Sequence, residues 1–75
     1  MVPEKPPTVR QAQLRAAESM DQSACSHDRL ADSCERLAAT SPNGEYHLER
    51  ARRHRQMAEE DRQLAEELRR IANQP

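Results

Sequence analysis

The 75-residue chain has no tryptophan, no phenylalanine, one tyrosine and one glycine. Each shortage excludes a class of function. With one glycine, phosphate-cradling loops of the GxxxxGK(S/T) or GxGxxG type cannot be built. With Tyr46 as the only aromatic ring, there is no platform on which the bases of single-stranded nucleic acid could stack. No apolar run reaches the roughly 18 residues of a membrane-spanning helix. Large apolar side chains are also scarce. Beyond Met1, Val2, Val9 and Tyr46 they are Leu14, Met20, Leu30, Leu37, Leu48, Met57, Leu64, Leu68 and Ile71. A domain this small needs a staple or a partner to offset its ordering entropy.

What is abundant is charge, of both signs. Twelve Lys+Arg stand against 13 Asp+Glu, for a net charge of −1. The basic excess of a general nucleic-acid binder is missing. Met1–Lys5 lacks the apolar core of a signal peptide, so a cytoplasmic location with reduced thiols is expected. Cys25 and Cys34 lie nine residues apart on one predicted helix. That separates them by roughly 13 Å along the axis. A disulfide needs Cα atoms within about 7 Å, so they cannot bridge each other.

Three of the five prolines fall in residues 1–7, which read as an extended, flexible arm. Thr8 with Gln11 three residues on forms a capping box. Helix-forming residues then run without Gly or Pro over about 9–40. Ser41-Pro42-Asn43-Gly44 is the one strong break, and a second helix follows over about 45–72, with 73–75 as a tail. Two long helices joined by a short loop imply antiparallel packing. The expected fold is all-α: an antiparallel two-helix hairpin with alanine-rich heptad packing, dimerising into a four-helix bundle.

Alanine recurs every seven residues in both helices, at Ala17, Ala24, Ala31 and Ala38 and at Ala51, Ala58, Ala65 and Ala72. With these at heptad position e, position d holds Ala16, Ser23, Leu30 and Leu37, then Arg50, Met57, Leu64 and Ile71. Position a holds Gln13, Met20, His27 and Cys34, then His47, His54, Asp61 and Leu68. A strict seven-residue repeat predicts left-handed antiparallel packing on a shared a/d/e seam, and the alanines bring the helix axes close. The g flank of helix 1 is small throughout (Ala12, Ser19, Ser26, Ser33, Thr40), whereas that of helix 2 is Tyr46, Arg53, Glu60 and Glu67. A second copy could therefore approach along helix 1. The residues expected at interfaces are Met20, Ala24, His27, Leu30, Ala31, Cys34, Leu37, Met57, Leu64 and Leu68.

The seam carries unusual polar residues. If the hairpin turns near residues 42–43, facing positions sum to about 85. His27, Cys34, His54 and Asp61 then cluster at mid-seam, and all four are zinc-ligand types. Their i,i+7 spacing on each helix is too long for one chain to place two ligands per helix on one ion. The preferred reading is a buried polar layer, with His27 or His54 bonded to Asp61, that fixes register. No metal or other cofactor is expected. Cys34 reads as a small buried hydrophobe and Cys25 as exposed.

Arg50, Arg52, Arg53, His54 and Arg55 form the one basic cluster, flanked by acidic stretches that can solvate it, with Glu49–Arg53 at i,i+4. Tyr46 and Leu48 sit beside the loop, and with Arg50, Arg52, Arg53 and Arg55 they are the candidate contacts for a heterologous protein partner. The chain shows no carboxylate pair or nucleophile–base order that would indicate an enzyme. The expected role is a small, non-enzymatic, self-associating interaction module: a regulator, adaptor or inhibitor. Two alternatives remain at this point: a nucleic-acid-associated regulator using Arg50–Arg55, though nucleic acid is not the expected partner, and a metal- or redox-responsive module using His27, Cys34 and His54.

Overall fold

The computed structural model describes residues 6–75. Pro6 and Pro7 are exposed and without regular structure, and the rest of the expected N-terminal arm lies outside the described residues. Two helices follow, α1 (Val9–Thr40) and α2 (Gly44–Ala72), packed against each other, with no strand among the described residues.

The ends of the helices follow from local chemistry. Thr8 caps α1: its hydroxyl accepts from the Gln11 N–H at 3.1 Å, and the Gln11 side chain accepts from the Thr8 N–H at 2.9 Å. Two orphan donors are satisfied reciprocally. At the other end Ser41, which precedes Pro42, is extended and donates its N–H to the Leu37 carbonyl at 2.9 Å. Proline disfavours helical geometry at the residue before it, so the helix stops there.

Gly44, expected in the loop, is instead the first residue of α2. It is not there for a left-handed turn, since no described residue has positive φ. Its role is clearance: a Cβ at this position would meet the Ala38 carbonyl oxygen at 3.1 Å. The missing side chain lets α2 start directly against the end of α1. Glu45 in the first turn of α2 and Arg69 and Arg70 in the last complement the helix dipole.

The seam is built from the small residues. The buried side chains are Ala17, Ala24, Ala31, Cys34, Ala51, Ala58, Ala65 and Ala72, none more than 5% exposed. Among the described residues no large side chain is fully buried. The expected a/d/e seam is therefore corrected to a/e. The d residues Leu30, Leu37, Met57, Leu64 and Ile71 stay 40–49% exposed. Alanine causes this. Packing a helix through alanine brings the axes together along the a/e midline, and at about 100° per residue d then lies roughly 80° off that line. Position b lies about as far off on the other side.

Candidate interaction face

The two flanks of the seam have opposite character. On one side the b positions of α1 are acidic and those of α2 basic. Asp21 pairs with Arg69, and Asp28 with Arg62. Arg55 reaches Asp32 at 2.8 Å, Glu35 at 2.7 Å and Asp28 at 3.6 Å. Leu14 and Leu48, also at b and half-buried, bracket this ladder. Its side chains remain about a third to a half exposed, so each pair contributes little to stability. What the ladder supplies is register, because it forms only when α2 runs antiparallel at this offset. The guanidinium of Arg55 is held above its usual pKa by its hydrogen bonds to Asp32 and then Glu35, and that of Arg62 by its hydrogen bond to Asp28.

Since the b positions of both helices meet on one side, the d positions of both share the other. That side is the apolar face: Leu30 and Leu37 from α1, and Met57, Leu64 and Ile71 from α2. Beside it lies the small g flank of α1, where Ala12, Ser19, Ser26 and Thr40 are exposed and Ser33 is half-buried. The a positions form the floor between the two d stripes. Met20, His27, His47, His54, Asp61 and Leu68 are half-buried there, and Cys34 is buried.

Of the residues expected at interfaces, Ala24, Ala31 and Cys34 are in the core of the hairpin. Met20, His27 and Leu68 line the floor, and Leu30, Leu37, Met57 and Leu64 stand on the face.

The polar layer differs from expectation in burial and in pairing: His27, His54 and Asp61 are half-buried, not buried. His27 and His54 hydrogen-bond each other, Nδ1 to Nδ1 at 2.9 Å. Neither bonds Asp61, whose Oδ2 is buried without a partner, as is Nδ1 of His47. The histidine positions sum to 81 and those of the ladder pairs Asp21–Arg69, Asp28–Arg62 and Glu35–Arg55 to 90, on either side of the value of about 85 inferred from helix rise. Cys34 and Asp61 do not join them: among the described residues no three His, Cys, Asp or Glu side chains come together to hold a metal ion.

The basic cluster does not form one surface. Arg50, Arg52, Arg53 and Arg55 fall at d, f, g and b, all around the helix. Arg52 and Arg53 both engage Glu49, at 3.0 and 3.5 Å, Arg55 belongs to the ladder, and Arg50 lies over the Tyr46 ring at 5.8 Å. Tyr46 itself is exposed beside the loop, with its ring edge-on to His47. A concavity of about 430 Å³ is lined by Glu18, Asp21, Gln22, Cys25, Ser26 and Arg29 of α1 alone. No helix of the described residues is long and apolar enough to cross a membrane.

The ladder was the feature that reading the sequence missed. Its signal was present as a seven-residue charge repeat, with Asp21, Asp28 and Glu35 against Arg55, Arg62 and Arg69. No family model, curated protein or solved structure matches this chain.

Proposed function

We propose that the chain is a small, non-enzymatic interaction module of the cytoplasm, and that its apolar face is covered by a second copy to complete a four-helix bundle. One observation carries this reading: the five large apolar d side chains stand 40–49% exposed on one face, over a core that among the described residues contains only alanine and one cysteine. Burying apolar surface stabilises by about 25 cal/mol per Å², and the hairpin alone leaves its best source of burial in contact with water. The small g flank of α1 lets another helix approach beside Leu30 and Leu37. Two-fold pairs are the commonest oligomers, and a self-complementary apolar face suits an isologous contact. In such a pair the charged outer surfaces and the loop end, with Tyr46, remain available to a further protein partner.

Sedimentation velocity across a concentration series tests the reading. Wild type is expected to shift from one copy to two as concentration rises. Leu30→Glu with Leu64→Glu is expected to stay single at every concentration while keeping its helical circular dichroism. A wild-type chain that remains single throughout the series refutes the pairing.

A further inference from the structure

His27 and His54 meet part-way along the seam, Nδ1 to Nδ1 at 2.9 Å, with ring centres 5.2 Å apart. The second distance equals the first plus a ring radius at either end. Both nitrogens therefore lie close to the line joining the ring centres. Their lone-pair directions point at one another and not toward a third point where a metal ion could sit. The geometry is that of one proton held between two rings.

Neutral imidazole carries one donor and one acceptor nitrogen. One ring thus donates from Nδ1, and the other, protonated on Nε2, accepts. A first added proton goes to Nε2 of the donor ring; the hydrogen bond survives and becomes charge-assisted. A second proton finds only the accepting Nδ1. Placed there it abolishes the acceptor, sets two N–H groups head to head, and puts two positive charges on a half-buried floor.

We propose that His27 and His54 form a proton-operated clasp between α1 and α2, closed with one shared proton and opened by double protonation. Among the described residues neither ring makes an ion pair with a carboxylate, and the unpartnered Asp61 carboxylate on the same floor bonds neither of them. Asp28, beside His27, is turned to Arg55 and Arg62, and Arg55, beside His54, is engaged with Asp32 and Glu35. The neighbouring floor positions are Cys34 and His47 toward the loop and Met20 and Asp61 away from it. Asp61 lies about 10 Å along α2 from His54 and makes no bond to either ring. The folded state resists the second proton and the unfolded chain does not. Because the unfolded chain takes both protons and the closed pair only the first, stability falls as pH drops far enough for the second proton to bind. The clasp acts within one chain and goes beyond the pairing of copies proposed above.

The test is thermal unfolding between pH 7.5 and 5.0, above the range where ordinary carboxylates titrate, at a low and a high protein concentration. Wild type is expected to lose about 4–8 °C in Tm on acidification, the response of a chain this size to a perturbation of one hydrogen bond. The loss should appear at both concentrations, which separates it from any effect on pairing. His27→Gln and His54→Gln should flatten the profile, while His47→Gln should leave it as in wild type. A flat wild-type profile, or an unchanged profile in both clasp variants, overturns the proposal. Imidazole ¹⁵N spectra of the wild type at pH 7.5 give an answer that does not depend on the variants folding. One ring should be protonated at Nδ1 and its partner at Nε2; two rings both protonated at Nε2 and neutral would refute the clasp.

Discussion

Enlarging an alanine should harm this protein at least as much as truncating a leucine, which inverts the usual hierarchy of core substitutions. Ala58 is fully enclosed between the helices, and Leu64, six residues on, is 49% exposed. Ala58→Leu adds a branched side chain where the axes are held together by the absence of one, and overpacking of this kind costs about 1–3 kcal/mol. Leu64→Ala removes a side chain whose full burial is worth about 1.5–3 kcal/mol. The hairpin buries about half of it, so the loss is about 1 kcal/mol in a single copy. Fully buried leucines lose about 2–5 kcal/mol on the same change. For a chain of this length each kcal/mol moves Tm by about 4–8 °C. The assay is thermal unfolding of both variants, dilute and concentrated. Dilute Leu64→Ala should melt about 4–8 °C below wild type, and its deficit should grow with concentration as the second copy covers the other half of the side chain. Ala58→Leu should lose as much or more even when dilute. A full-size loss for dilute Leu64→Ala, together with a neutral Ala58→Leu, would mean that the leucines are inside and the alanines outside.

Four further outcomes follow from the same geometry. Asp28→Arg places three guanidinium groups together, so it should lower Tm, and the deficit should shrink in about 1 M salt, where the Debye length falls to about 3 Å. The raised pKa values of Arg55 and Arg62 mean that their charged contribution is complete below the unfolded value and is lost only as pH rises through the folded one, so the ladder should hold from neutral into mildly alkaline solution. Gly44→Ala should bring none of the roughly 1 kcal/mol that alanine normally gains over glycine in a helix, because its Cβ would press on the Ala38 carbonyl; a raised Tm would contradict this. A thiol reagent should modify exposed Cys25 readily and buried Cys34 only when the chain unfolds, as peptide mapping of the labelled sites would show.

Much of this was legible in the residues themselves. Thr8 and Gln11 announced the start of α1, Pro42 its end, and the alanine heptads the closeness of the two helices. The sidedness was less legible. A pattern that scores alanine and leucine alike as apolar puts d and e into one seam, and only backbone proximity decides between them. When alanines set that distance, the leucines are pushed to the flank. The histidine pairing was out of reach for a related reason. A helical turn separates bonding to Asp61 from bonding between His27 and His54, and the register that resolves it is set by the loop geometry at Gly44 and by the charge ladder.

That ladder also bears on stoichiometry. Its acidic and basic groups satisfy each other within the hairpin, so the b side offers an approaching molecule neither an unmatched row of charge nor a broad apolar surface. An α1 laid b side to b side against another α1 would set carboxylates against carboxylates. If a second copy covers the leucine side as proposed, no equivalent apolar surface is left to recruit the next copy. A chain with two adhesive sides would polymerise; under the pairing proposed above, neutralisation of the b side would end assembly after a single addition.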